Sequence, residues 1–382
     1  LKKDTRRVNL VYILSNLGKA VAFEWITENL DCSKYNITFI LLNPGESSLE
    51  LYLKKNNIEV YRILYRGKKD VLHAFISIYK ILKKEKAAII HAHLFEASLI
   101  GLCAGKLLGV PMRIYTRHHA TLHHMYFPRA VYYDRLINAM ATDIVAISNN
   151  VQTILTSLEG VRPDKIHLIH HGFKLEDFQE IPTQRILALK KKYQLEGAYP
   201  IVGVISRYIE WKGIQYIITA FKKLSSTYPN ACLVLANANG PFKEEIGKIL
   251  KDLPQDKYRE ILFEEDVFAL YQLFNVFIHT PIDEHAEAFG QTYVEALAAG
   301  IPSIFTLSGV ANEFIRDGEN ALVVPFKNDI AIYDALVSLL TQEEQIRAKL
   351  IKEGREDVNR YFSLESMIAA LDKLYKKNES NY

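Results

Sequence analysis

Short β-branched and apolar runs alternate with helix-length stretches along most of this chain. Residues 8–14, 35–42, 58–64, 88–93, 113–116, 143–148 and 165–170 read as strands, and residues 20–29, 71–84 and 96–108 read as helices between them. Such alternation builds a parallel sheet with crossover helices. The pattern thins over the polar stretch 178–199, where a short helix is expected at 186–193, and then restarts. Strands are expected at 200–206, 231–236, 276–280, 302–306 and 321–324, with a helix at 213–225. A chain of 382 residues suits two domains of ordinary size. The reading is therefore α/β, with two doubly wound, Rossmann-like domains at residues 1–180 and 181–362. Residues 363–382 form a closing helix and tail, with Ser363 as the helix N-cap. Ligands bind beyond the strand C-termini of such sheets, so a central cleft that both domains face is the expected site.

Composition removes several classes. No apolar run reaches the roughly 18 residues a membrane span needs. The best candidate, residues 136–147, carries Asp143. No signal-peptide pattern is visible. Cys32, Cys103 and Cys232 show neither metal nor redox spacing, which suits a reducing compartment and a cytoplasmic location. Charge is uneven. Residues 1–180 hold 24 Lys and Arg against 17 Asp and Glu, and the remainder holds 23 against 27. The basic first half includes Lys2, Lys3, Arg6, Arg7, Arg66, Lys68 and Lys69. It is either a solvated face or one suited to an anionic surface, such as the inner face of a membrane. No basic–aromatic reader motif is present, so nucleic acid is not an expected partner.

The chemistry concentrates in Glu287-Ala-Phe-Gly-Gln-Thr-Tyr-Val-Glu295. Gly300 and Pro302 stop a helix expected over residues 293–299. Glu287 then lies in the loop before that helix and Glu295 about two turns inside it. The amides of Phe289, Gly290 and Gln291 crown the helix start, a ready anion site. A polyhydroxyl ligand carrying a phosphate satisfies both the carboxylate and the amides. A second segment, Ser206-Arg207 to Lys212-Gly213, follows a strand and opens a helix, so Arg207 and Lys212 suit a diphosphate. A third, residues 307–310, is a turn placed to touch the same phosphates.

Arg207, Lys212-Gly213 and the Glu287/Glu295 pair resemble the retaining nucleotide-sugar glycosyltransferases of family 4, which have the GT-B fold. The resemblance continues through Pro302, residues 318–321 and the ending Phe362-Ser363-x-Glu365. It implies a sugar transferred from a nucleoside diphosphate to a glycan or lipid-linked acceptor, in cell-surface polysaccharide or glycoconjugate synthesis. Glu295 would hold the ribose, Glu287 the sugar hydroxyls, and the backbone from Phe289 to Thr292 the sugar and phosphate. Ser206 belongs to the same donor pocket. Arg207 and Lys212 would neutralise the leaving group, so no metal or other cofactor is required. The closing helix would return to the first domain. A nucleotide-sugar epimerase of the same fold and a non-catalytic scaffold subunit are the alternatives.

The first domain should supply the acceptor side. Its histidines stand out: His91, His93, His118, His119, His123 and His124. The resemblance implies a histidine touching the donor sugar, and His118 is the expected one, with His119 as the alternative. His93 ends a strand and is expected to line the cleft. Gly18 lies in the first loop, expected near the acceptor. Zinc is disfavoured because no Cys, Asp or Glu stands at ligand spacing in the histidine segment.

Overall fold

The computed structural model describes residues 7–377. Lys2, Lys3 and Arg6 of the basic first half, and residues 378–382 of the expected tail, lie outside them. The chain forms two compact units. One runs to Phe173 and resumes at Leu364, and the other is Lys174–Ser363. The chain thus leaves the first unit before residue 180, because Leu175–Phe178 packs with the second: Phe178 stacks edge-on with Phe268 at 4.8 Å.

The first unit is a parallel sheet of β1 (Val8–Ser15), β2 (Tyr35–Asn43), β3 (Glu59–Leu64), β4 (Ile89–His93), β5 (Met112–Arg117), β6 (Asp143–Ala146) and β7 (Ile166–Leu168). Their order is β3-β2-β1-β4-β5-β6-β7. Leu14, His93 and Thr116 are in register at the C-terminal edge. The central strands β1 and β4 are buried on both faces, which is why β1 reads as a continuous apolar run from Leu10 to Leu14. The best membrane-span candidate of the sequence is instead the end of the helix Ala130–Met140 and all of β6, which pairs with β5. The helix Ser48–Lys55, absent from the sequence reading, starts where Ser47 accepts the Glu50 amide at 3.2 Å.

The helix Leu364–Lys376 belongs to this unit, as expected. Its Tyr375 hydroxyl meets the Tyr12 hydroxyl at 2.6 Å and His91 Nδ1 at 2.7 Å. Asp372 accepts from Tyr35 at 2.9 Å, and Lys377, just beyond the helix, donates to Asp143 at 2.8 Å.

The second unit is a parallel sheet of β8 (Ile201–Ile205), β9 (Cys232–Ala236), β10 (Tyr258–Ile261), β11 (Val276–His279), β12 (Ser303–Phe305) and β13 (Leu322–Val323), ordered β10-β9-β8-β11-β12-β13. β10 was not legible, because Tyr-Arg-Glu-Ile carries two charges and its strand lies at the sheet edge. The helix Ile214–Thr227 buries Ile217, Ile218, Phe221 and Leu224 against the apolar strands of this sheet.

Candidate functional site

In the second unit β8 runs on to β9 at one side, whereas β11 and β12 lie at the other. The loops leaving β8 and β11 therefore part company, which opens a crevice of the kind where doubly wound sheets bind ligands. Three loops close on Glu287 here, and two glycines let them. A Cβ on Gly213 (φ +73°) would lie 1.9 Å from the Thr280 carbonyl oxygen. One on Gly309 (φ +58°) would lie 2.8 Å from Glu287 Cβ. No other residue permits either approach. Hydrogen bonds then lock the loops. The Glu287 amide donates to Ser308 Oγ at 3.1 Å, Ser308 Oγ donates to the Glu284 carbonyl at 3.2 Å, and the Ile282 amide donates to Trp211 O at 3.0 Å.

Glu287 is buried, and its Oε1 takes Lys212 Nζ at 2.5 Å and His279 Nε2 at 3.0 Å. Burial alone would raise its pKa. The Lys212 charge and the His279 hydrogen bond outweigh that and hold it far below the usual carboxylate range. Burial lowers the pKa of His279, so the ring is neutral and donates to an ionised carboxylate. Lys212 is thus engaged by Glu287, not aimed alone at a phosphate. Arg207 follows β8 and is exposed, and Ser206 beside it is buried.

The helix after Glu287 is Gln291–Ala298, and no side chain caps it after Gly290. It starts at Gln291, so Glu295 is its fifth residue, about one turn in and not two. Glu295 Oε2 accepts from the Tyr271 hydroxyl at 2.8 Å, and burial pushes its pKa up. Thr292 Oγ1 and Thr280 Oγ1 are buried hydroxyls without a hydrogen-bond partner. Phe289 is buried with its ring edge-on to Phe362 at 5.6 Å, so only its backbone is available to a ligand. The structure therefore gathers Lys212, Glu287 and the 306–310 turn beside the start of this helix. Sequence reasoning missed His279 and Tyr271. Position gave a hint for His279, since a histidine at the end of β11 precedes a loop that carries a carboxylate.

The first unit switches direction between β1 and β4. Both loops there hold a non-glycine residue at positive φ, Asn16 at 54° and Leu94 at 68°. Gly18 is exposed in the first of them, and its carbonyl accepts the Leu49 amide at 3.1 Å. Behind the edge runs a row of imidazoles. His93 Nδ1 meets His118 Nε2 at 3.0 Å, and His118 stacks on His171 at 5.6 Å. His91 Nε2 meets Thr116 Oγ1 at 2.8 Å, and His93 Nε2 is buried without a hydrogen-bond partner. Burial keeps the row neutral. It lowers His91 to about 3 and His171 to about 4, and takes His93 and His118 well below the ordinary value.

His119 turns another way. Arg117, fully buried, pairs with Asp134 at 3.0 Å and Glu159 at 2.5 Å. His119 Nε2 and His123 Nδ1 face Asp134 Oδ2 at 3.4 and 2.7 Å, and His124 Nε2 faces Glu159 Oε1 at 3.2 Å. His123 and His124 are thus hydrogen-bonded imidazoles, the plain reading of each. Nearby, Tyr65, Val71, Phe95, Phe127 and Tyr133 line a pocket of about 840 Å³, with Lys68, Glu96 and Arg129 in its wall.

Two family models match the chain. The one described as "Glycosyl transferases group 1" covers residues 186–357, and "Glycosyltransferase Family 4" covers residues 27–177. The capsular polysaccharide biosynthesis glycosyltransferase CapM of Staphylococcus aureus is 26% identical over 289 residues, 73% of this chain and 74% of its own. The alpha-monoglucosyldiacylglycerol synthase of Acholeplasma laidlawii is 26% identical over 250 residues. That match spans 60% of this chain and 60%, under two thirds, of the relative. The structure of Anabaena Alr3699/HepE in complex with UDP and glucose superposes with a TM-score of 0.81 at 17% identity, covering 96% of this chain and 99% of that one. A glycosyltransferase from Rickettsia africae gives 0.79 at 21% identity, covering 98% and 100%. At these identities the structural likeness shows the fold.

Proposed function

We propose, for a chain that belongs to the family 4 type of glycosyltransferase and has the GT-B fold, that it transfers a sugar from a nucleoside-diphosphate-sugar to a glycan or lipid-linked acceptor. Transfer retains the anomeric configuration and serves cell-surface polysaccharide or glycolipid synthesis. The observation that carries this reading is Glu287, ionised and fixed by Lys212 and His279 beside an uncapped helix start.

Breaking a glycosyl–phosphate bond builds negative charge on the leaving oxygens and positive charge on the anomeric carbon. Fixed dipoles and charges aimed at both lower the barrier. Lys212 has three N–H donors and spends one on Glu287. The others, with Arg207 and the amides of Gln291 and Thr292, answer the diphosphate. Glu287 Oε2 accepts from sugar hydroxyls, and Glu295, steadied by Tyr271, accepts from the ribose. The phosphate itself takes the acceptor proton as the acceptor attacks from the same face. Because side-chain cations meet the leaving group, turnover without added magnesium is expected. His118 is assigned to the sugar, with His93 beside it. The engagement of His119 by Asp134 supports that choice.

The acceptor belongs to the first unit. Its apolar pocket, with Lys68 and Arg129 against one carboxylate, Glu96, suits a ligand with an apolar tail, and one relative is named for a diacylglycerol glycolipid. No helix among the described residues is long and apolar enough to cross a membrane. Peripheral contact with an anionic bilayer is the matching mode, and equal co-sedimentation with anionic and neutral vesicles overturns it.

A thermal-shift panel of UDP, GDP, ADP and their sugar conjugates, with and without magnesium, tests the whole reading. One base family should raise the midpoint by mass action. Absence of any shift overturns donor binding and favours a scaffold.

A further inference from the structure

We propose that His119, His123 and Asp134 form a binding site for a zinc-type divalent cation that ties the segment after β5 to the helix Ala130–Met140. The three donors are His119 Nε2, His123 Nδ1 and Asp134 Oδ2, all within 4.8 Å of one another. Both imidazoles converge on one carboxylate oxygen, with ring centroids 4.0 Å apart. The 3.4 Å edge from His119 to Asp134 is long for a hydrogen bond. It matches the donor–donor edge of a tetrahedral zinc site, about 3.3 Å for metal–ligand bonds near 2.0 Å. The 2.7 Å edge from His123 widens to that value with about 0.6 Å of ring movement.

The surroundings are those of a built site. Asp134 has no exposed side-chain surface, and Arg117 fixes the carboxylate: Nη1 pairs with Oδ1 at 3.0 Å, and Nη2 donates at 3.3 Å to Oδ2, the oxygen that would ligate the ion. The His119 and His123 side chains keep 19% and 12% exposure, so an ion has a way in and water can take the fourth position. Two nitrogens and one oxygen favour zinc over magnesium or calcium. The spacing His119-x3-His123 shows no carboxylate partner in sequence. The fold supplies Asp134 from the next helix. The inference does not depend on the proposed transfer reaction, since the ion would act as a clip on the segment that follows His118.

The test uses the full chain, stripped with chelator, dialysed and titrated with Co²⁺. Visible d–d bands that saturate at one equivalent and vanish on adding Zn²⁺ are expected, together with a Zn²⁺-dependent rise in Tm of several degrees. The double variant His119→Ala/His123→Ala should lose the bands and the rise, while Cys32→Ser/Cys103→Ser should keep both. Circular dichroism and a cooperative melt show that each variant is folded, and the milder His123→Gln should weaken Co²⁺ binding at least tenfold. Bands that are absent from the parent, that survive the double variant, or that depend on the cysteines overturn the site. The cluster is then a hydrogen-bonded trio around Asp134.

Discussion

The two units share a topology and solve the same place in it with opposite electrostatics. At the switch point of the second, charge is kept and paired: Lys212 against Glu287, with neutral His279 between helix and sheet. At the switch point of the first, charge is removed: His91, His93, His118 and His171 are held neutral in a packed row. A parallel sheet with crossover helices thus fixes where a site opens but not its polarity. The residues at the strand ends decide that.

The sharpest way to break the comparison is Glu287→Ala. It should lower kcat at least a hundredfold, about 3 kcal/mol of transition-state stabilisation, with nucleotide binding kept. Glu295→Ala should instead weaken nucleotide binding. A Glu287→Ala enzyme with parental kcat removes Glu287 from the chemistry.

Acid separates the units next. The folded pKa values of His91, His93 and His171 lie below the unfolded value of 6.5, so below that pH the unfolded chain binds protons the native row does not. Stability therefore falls as pH drops from about 6.5 towards 4, by roughly 1 kcal/mol for each ring at pH 5.5. Glu287 has a depressed pKa, and its contribution is lost only below the unfolded carboxylate value of 4.5. In the second unit burial lowers one ring, His279, in the same direction. Hydrogen exchange at pH 7.5 and 5.5 should show protection lost mainly in β1, β4 and β5. Equal loss in β8 and β11 contradicts this.

Gly213→Ala should cost about 2–3 kcal/mol through the clash with the Thr280 carbonyl. Gly109→Ala, at φ +72° with open space around it, should cost about 1 kcal/mol. Denaturant melts of the two variants compare a glycine needed for contact with one needed only for backbone shape. An equally small effect is Tyr375→Phe, which removes the hydroxyl between Tyr12 and His91 and should cost about 1 kcal/mol. An unchanged melt means that hydroxyl adds nothing net.

Local pattern carried most of the architecture. β1 and β8 are apolar along most of both faces, and Gly213 and Gly300 mark a helix start and a helix stop. Lys212 and Glu287 could be assigned together because each sits in a loop after a strand. What escaped depends on contacts across long sequence distances. Asp134 reaches His123 from the next helix, and Tyr375 reaches His91 across 284 positions. His279 looked like one more strand residue. Spacing encodes which face a residue takes within its own element, but not which element lies opposite.

The return of Leu364–Lys376 to the first unit also sets a clock. Tyr12 and Tyr375 are 363 positions apart. At about 5–20 residues per second of synthesis, Tyr12 waits roughly 20–70 s for its partner. Throughout that interval the nascent first unit lacks its last helix, and the hydroxyl that covers His91 has not yet been made. The second unit, Lys174–Ser363, is by contrast one unbroken stretch of sequence, and every codon for it is read before those for this helix.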